Sequence, residues 1–178
     1  MGILLGFVPF IVFALLSGVS VSLALWLAFA AAFAIGIRDF LHAKMIRRLD
    51  ITCLMLFAML ALYTGFIQPS LAVPAVRMIA DVVLLLLALV SMARKIPFTS
   101  EYVRDEMPER LWDSPSFLRI SYVLCGVWAV AFLVMGVADG LATFDHQLSF
   151  SLDVAIGLAA LAAAVVFTLR YPLLLASR

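Results

Sequence analysis

Charged side chains are scarce in this sequence. Only 13% of its 178 residues are Asp, Glu, Lys or Arg, whereas soluble domains typically contain about 25%. Hydrophobic residues make up 66% of the chain, and the mean hydropathy is +1.19. A chain of this length could not hide so much apolar surface from water, so the lipid bilayer must be its solvent. The net charge of +1 creates no general field that would attract nucleic acid, and we expect no nucleic-acid partner.

Residue types that commonly form catalytic or metal sites are also few. The two cysteines, Cys53 and Cys125, lie in separate apolar runs outside any C-x-x-C pair, which favours reduced, buried thiols. The two histidines, His42 and His146, are expected on opposite sides of the membrane, so they should not bind one metal together. No zinc-protease, phosphate-loop or serine-elbow motif is present. We therefore expect no enzyme activity, no metal and no cofactor.

Long apolar runs predict an all-α, polytopic transmembrane bundle, because a spanning helix needs about 20 apolar residues. The first run, Ile3 to Ile37, contains no charge and is too long for one crossing. Ser17-Gly18-Val19-Ser20 offers a turn within it. If that run were instead one tilted helix, the chain would have five spans. The preferred prediction is one domain, 1–178, with six spans at about 3–17, 20–37, 51–67, 75–93, 115–138 and 150–170.

Several short signals set the expected span boundaries. Pro74 is predicted to open the fourth span, since proline is tolerated at a helix start. Ser114-Pro115 is typical of an N-cap followed by proline at the first helical position, and Asp139-Gly140 is predicted to end the fifth span. Small residues four apart let helices approach closely in lipid, as at Gly2/Gly6, Ala28/Ala32, Gly136/Gly140 and Ala159/Ala163.

The distribution of basic residues predicts the orientation of the chain. Eleven of the twelve Lys and Arg residues lie in the segments 38–48 and 94–119 and in the tail from Arg170. The loops predicted on the opposite side, 17–20, 68–74 and 139–149, contain none. Because basic residues accumulate on the cytoplasmic side, both termini are predicted to be cytoplasmic, in a bacterial inner membrane.

The one long polar passage lies between the fourth and fifth spans. Arg94–Arg119 contains ten of the 23 charged residues, and the segment 94–118 is predicted to be a cytoplasmic amphipathic connector. Pro97 and Pro108 bracket a short helix in it, which Thr99 or Ser100 can cap.

This connector has two interpretations. The simpler one is a helix that lies on the membrane surface and links two spans. The alternative is a docking site for a membrane-protein partner, with Phe98, Tyr102 and Trp112 as the contact residues. Trp112 follows the helix at the depth where tryptophan contacts lipid headgroups.

Charged residues at membrane depth are the main candidates for a functional site. Arg77 and Asp81 are four residues apart on the fourth span and share a helix face, and Asp153 lies about one turn inside the outer end of the sixth. In the functional interpretation, Arg77 holds an anionic headgroup, or Asp81 and Asp153 relay a proton or cation. In the structural one, Arg77 and Asp81 neutralise each other and tie span four to span six. Asp139, Asp145 and His146 are expected on the outer side of the membrane, near the end of the sixth span that carries Asp153.

A family resemblance covers nearly the whole chain. It depends on Phe7-x-Pro9-Phe10-x-x-Phe13, Lys95-x-Pro97, Trp112 and Trp128-Ala129-x-x-Phe132-x-x-x-Gly136-x-Ala138. In these motifs, in length and in span placement, the chain resembles the bacterial intracellular septation protein A family of small inner-membrane proteins. Family members usually carry asparagine shortly before the span-five tryptophan and after the glycine, where this chain has Ser121, Cys125 and Asp139. The resemblance implies a role in cell-envelope maintenance or division through membrane partners, and it implies no catalytic residues.

Three functions remain open from the sequence. The first is a non-enzymatic inner-membrane protein that binds other envelope proteins, and a homo-oligomer is compatible with it. The second is a small transporter or channel, with Arg77, Asp81 and Asp153 along its path. The third is an auxiliary subunit of a larger membrane complex.

Overall fold

The computed structural model describes residues 5–43, 47–68, 71–106, 108–112, 114–144 and 149–176. These residues form seven α-helices and one short 3₁₀-helix, with no β-strand among them. Five of the helices are long and apolar enough to cross a membrane, so the chain is an all-α, multi-pass membrane protein. The helices are α1 Val8–Leu16, α2 Val21–Ala43, α3 Arg48–Phe66, α4 Val73–Ala93, α5 Ser100–Glu106, α6 Pro115–Phe144 and α7 Phe150–Ala176, with the 3₁₀-helix at Glu109–Leu111.

The first apolar run is broken where the polar residues predicted a turn. Helix α1 ends at Leu16, the Ser17 amide donates to the carbonyl of Phe13 at 2.8 Å, and Ser20 Oγ accepts from the Leu23 amide at 3.4 Å. The alternative of one continuous helix is therefore wrong. Helix α1 has nine residues, fewer than the roughly 17 that a crossing needs, so the sixth span stays a prediction.

Three helices continue beyond their predicted ends. Helix α7 passes residue 170 and ends at Ala176. In the other two, acidic residues near the end find cationic partners. Helix α2 extends past Ile37 to Ala43, and Asp39 on it is buried beside Arg47, with 3.3 Å between Oδ2 and Nη1. The prediction that Asp139-Gly140 ends the fifth span was wrong, since α6 continues to Phe144. A carboxylate held by arginine no longer needs water, and its helix can stay in apolar surroundings.

Other boundary predictions are confirmed. Pro74 is the second residue of α4, where its missing N–H leaves no intrahelical bond unmade. The Phe117 amide donates to Ser114 Oγ at 3.2 Å, which makes Ser114 the N-cap of α6. By contrast, neither predicted cap of α5 acts as one. The Thr99 hydroxyl donates to the carbonyl of Ser121 at 2.6 Å and the Ser100 hydroxyl to that of Pro97 at 2.7 Å.

The helices group into two compact units, Met1–Val76 and Arg77–Arg178. In the first unit, α2 packs against α1 and α3. The rings of Phe10 and Phe57 meet edge to face with centroids 5.0 Å apart, and Ala28 and Ala32 are buried. Cys53 is a free, buried thiol whose Sγ lies 3.7 Å from the carbonyl of Gly6, as expected for a small apolar side chain.

In the second unit, α6 packs against α7 and contacts α4. Trp128 is fully buried, and its Nε1 donates to Thr168 Oγ1 at 3.1 Å. The Tyr122 hydroxyl donates to the carbonyl of Met92 at 3.2 Å, and the free thiol of Cys125 lies 3.7 Å from Ser91 Oγ. These polar contacts fix how α6 lies against its neighbours, because lipid supplies no hydrophobic force between helices.

Candidate functional site

Four charged residues come together within the second unit, where α4 begins, α6 ends and α7 begins. Arg77 lies about one turn inside α4 and Asp81 about two turns inside. Asp139 comes from the last turns of α6 and Asp153 from the first turn of α7. We call Arg77, Asp81, Asp139 and Asp153 the charged cluster.

Arg77 bridges two carboxylates on two other helices. Its Nη2 lies 3.1 Å from Asp139 Oδ1, and its Nη1 donates to Asp153 Oδ2 at 3.1 Å. Both aspartates are fully buried, while 23% of the Arg77 side chain is exposed. The direct contacts of the guanidinium are with Asp139 and Asp153, and mutual neutralisation of Arg77 and Asp81 stays a prediction. The predicted tie between the fourth and last spans is present, and Arg77 makes it directly.

Asp81 is the deepest member of the charged cluster. At 1.5 Å per residue it lies roughly 12 Å along α4 from Val73. It is buried, and a Cβ at Gly136, about one turn before Asp139 on α6, would lie 3.4 Å from the Asp81 Cβ. Asp81 thus lies against the side of α6 that carries Gly136 and Asp139.

Three glycines lie where the helices of the charged cluster approach one another. A Cβ at Gly136 would lie 3.4 Å from the Asp81 Cβ, and one at Gly140 would lie 3.5 Å from Met78 Sδ. Both distances are ordinary van der Waals contacts, so the prediction that Gly136 and Gly140 permit close approach stays a prediction. A Cβ at Gly157 would lie only 3.2 Å from Nη2 of Arg77, so α7 also leaves room for the guanidinium.

Charges and hydrogen bonds are not balanced within the charged cluster. One guanidinium contacts two carboxyl groups, and a third, that of Asp81, lies about one turn further along α4. Among the described residues, no hydrogen-bond donor reaches the buried Asp139 Oδ2 or the buried Asp153 Oδ1. Buried oxygens of this kind normally have a donor, so the site can accept a proton, a water molecule or a cation.

The geometry separates the ligand classes that the sequence left open. An anionic headgroup would have to displace carboxylates from Arg77, whose Nη1 and Nη2 already contact Asp153 and Asp139. The surplus of acidic groups also repels an anion. Within the described part of the chain, no group of three His, Cys, Asp or Glu side chains is arranged to hold a metal ion. Protons and weakly bound cations fit the charge of the site best.

Asp139 is the member that sequence reasoning did not place in the site. It was interpreted as part of a turn because glycine follows it. Its spacing from Gly136 could have revealed it, because residues three apart share a helix face, and Gly136 marks the side of α6 that approaches α4. Asp145 and His146, expected nearby, lie outside the described residues, as does the side chain of His42.

The connector residues suggested for partner docking lie mostly inside the chain. Phe98 is fully buried and Tyr102 is 6% exposed. The Phe98 amide donates to Ser91 Oγ at 3.0 Å, which holds the connector to the end of α4. Neither Phe98 nor Tyr102 presents a free surface, so their burial gives the docking hypothesis no support.

Trp112, the third docking candidate, is partly buried. It packs against an apolar group formed by the connector and α6, and the guanidinium carbon of Arg104 lies 5.2 Å from its ring centroid. That distance is typical of a cation–π contact. The apolar group consists of Val103, Phe117, Ile120 and Leu124, with Trp112, Phe167 and Tyr171 against it.

Comparison with known proteins identifies no relative, since no family model, curated protein or solved structure matches this chain. The resemblance to the septation protein A family therefore stays a prediction.

Proposed function

We propose that this protein is a small transporter or channel in which the charged cluster lies on the path of a proton or another small cation. The observation that carries the proposal is the surplus of buried acid: Asp81, Asp139 and Asp153 are all buried near one arginine, which contacts Asp139 and Asp153. One carboxylate would be enough to neutralise the charge of Arg77, so charge pairing alone does not explain the other two. Ionisable groups within membrane spans are costly, and they commonly mark ion pathways and proton relays.

Flux measurements in proteoliposomes test this proposal. The purified protein is reconstituted with a pH-sensitive dye inside, and proton flux is followed after a pH step with K⁺ and valinomycin to clamp the potential. We expect Asp81→Asn and Asp139→Asn to lower flux at least tenfold. Asp105→Asn, on the exposed side of the connector, is the matched control and should leave flux unchanged. Flux of protons, Na⁺ and K⁺ is compared among the wild-type protein, the three variants and empty vesicles. If, for each ion, all of these show the same flux, the proposal is rejected.

A second candidate, a partner-binding protein of the cell envelope, is supported by helix α7. Only 11% of its membrane-length window is buried, compared with 44% for α6. Its exposed side carries the small residues Ala155, Ala159 and Ala163, and small residues favour helix–helix contact in lipid. A second copy of the chain, a division protein or a larger complex would fit this side.

Photocrosslinking separates the partner-binding candidate from lipid contact. A photoreactive residue at Ala159, which is exposed, is compared with one at Ala164, which is buried. A partner protein or a fixed larger complex predicts discrete crosslinked bands from position 159 only. Crosslinks to lipid alone from that position would remove this candidate.

We also propose the bacterial inner membrane as the location, with both termini cytoplasmic. Support comes from the basic residues, eleven of twelve of which lie at the end of the spans assigned to the cytoplasm. A reporter fused after Pro108 should be active in the cytoplasm. Activity of the same fusion in the periplasm would reverse the orientation.

A further inference from the structure

We propose that Asp81 and Asp139 share one dissociable proton, and that this proton, rather than a metal cation, is the ligand of the charged cluster. The inference deepens the proposed function by naming the ion. Proton binding can be measured without flux, so the two proposals can fail separately.

The placement of Asp81 and Asp139 is the first argument. A Cβ at Gly136, about one turn before Asp139 on α6, would lie 3.4 Å from the Asp81 Cβ. Asp139 contacts Arg77 at 3.1 Å, and Arg77 lies about one turn from Asp81 on α4, so the two carboxyl groups occupy the same small region. Each carboxyl oxygen is an acceptor unless it carries a proton. Both side chains are buried, Asp139 completely. Two adjacent carboxylates in such surroundings do not both stay ionised. One proton between them removes a negative charge and supplies the donor for a hydrogen bond.

The second argument comes from oxygens that have no donor. Asp139 Oδ2 and Asp153 Oδ1 are buried and receive no hydrogen bond from the described residues. A proton on the Asp81–Asp139 pair provides a donor where the protein provides none. A metal ion would instead need several converging oxygens, and the described residues offer no such group.

Arg77 acts as a positioning residue for the pair. Its Nη2 holds Asp139 at 3.1 Å and its Nη1 holds Asp153 at 3.1 Å, so Asp139 is the member of the pair that contacts a cation. The proton is therefore expected mainly on Asp81, which donates to Asp139. The charged groups that act on the pair are Arg77 from α4 and Asp153 from α7, and the connector lies at the other end of α4 and α6.

Loss of the proton must change the site. When Asp81 releases it, the negative charge of the charged cluster rises by one and the pair becomes two adjacent carboxylates. Asp81 and Asp139 then repel each other, while Arg77 still holds Asp139. The proton leaves to water or to a neighbouring carboxyl such as Asp153, and no other reactant is needed.

Infrared difference spectroscopy of the purified protein in lipid tests the inference directly. A protonated carboxyl gives a C=O band that ionised carboxylates lack, and this band shifts when H₂O is replaced by D₂O. We expect one such band near neutral pH, which disappears as the pH is raised. Asp81→Asn should remove it. Absence of the band from the wild-type protein would overturn the inference.

Two further variants keep the test decisive. Asp139→Asn changes the hydrogen-bond partner of Asp81, so the band should shift rather than vanish, even if Asp81→Asn does not fold. Asp105→Asn, in the connector, should leave the band unchanged.

Addition of NaCl at fixed ionic strength should not remove the band, and its removal by Na⁺ would identify a metal cation as the ligand instead. A band without flux of protons, Na⁺ or K⁺ would reject the transporter proposal alone, and flux without a band would reject the shared proton alone.

Discussion

The guanidinium of Arg77 joins two helices whose charged residues are far apart in the sequence, because its Nη1 lies 3.1 Å from Asp153 Oδ2. The other terminal nitrogen holds Asp139 at the same distance. One side chain of α4 thus connects α6 and α7, and both carboxylates depend on it. In a membrane, where water cannot replace a lost partner, such a junction determines how the helices assemble.

Removal of the Arg77 charge should destabilise the protein strongly. Arg77→Gln leaves two buried carboxylates without their cation, and breaking a buried pair costs about 3–5 kcal/mol. Partial exposure of the Arg77 side chain places our expectation near about 3 kcal/mol. Equilibrium unfolding in mixed micelles measures the change.

The controls for Arg77 use smaller changes at the same place. Arg77→Lys keeps the charge but lacks the fork that reaches two carboxylates, so an intermediate loss is expected. Arg77→Gln combined with Asp153→Asn should be more stable than Arg77→Gln alone. Equal stability of Arg77→Gln and the wild-type protein would show that the bridge contributes nothing.

Replacement of Gly157 by alanine should not give the gain in stability that glycine to alanine usually gives inside a helix. A Cβ there would lie 3.2 Å from Nη2 of Arg77, whereas a Cβ at Gly126 would meet nothing within 4 Å. Glycine to alanine inside a helix usually stabilises by about 0.5–1 kcal/mol. We expect that gain for Gly126→Ala and none, or a loss, for Gly157→Ala, as measured by the same unfolding assay. If both variants gain equally, the guanidinium has room to move.

The sequence predicted the general architecture well because length and hydropathy are local properties. Arg77 and Asp81 were correctly placed on one helix, and Asp153 was correctly expected near them. The partner of Arg77 was not predicted, because a helix pattern shows which residues share a face and cannot show which residues of another helix lie opposite. The same reason hid Asp139, since only tertiary packing brings it beside Arg77.

The connector shows a second limit of local reasoning. The alternation of apolar and charged residues predicts that the apolar face of the connector helix contacts lipid or a partner protein. It could not show that other residues of the same chain cover Phe98. The Thr99 and Ser100 hydroxyls were expected as helix caps, yet both bond carbonyls. Short polar side chains form hydrogen bonds with whichever backbone acceptors are within reach. The conformation of the turn after α4 determines which carbonyls are within reach of Thr99 and Ser100.

Lys95 lies in that turn, and its replacement by glycine should stabilise the protein. It is the one residue with a positive φ among the non-glycine residues that the structure describes, at 59°. Its amide donates to the carbonyl of Met92 at 3.0 Å, as at a left-handed helix end. Because a side chain costs roughly 1–2 kcal/mol in this conformation, Lys95→Gly should stabilise the protein by about 1 kcal/mol. Lys95→Ala is the control for loss of the side chain and should give no gain in unfolding free energy.

Phe98 should contribute to stability rather than to partner recognition. Its side chain is fully buried, whereas Leu111 in the same connector is 37% exposed. Truncation of a buried phenylalanine to alanine costs about 3–5 kcal/mol, so Phe98→Ala should lower the unfolding free energy by that amount and Leu111→Ala by less than about 1 kcal/mol. The two variants are also compared by crosslinking at Trp112. A Phe98→Ala protein that keeps its stability but loses crosslinked partners would contradict this and return Phe98 to the docking surface.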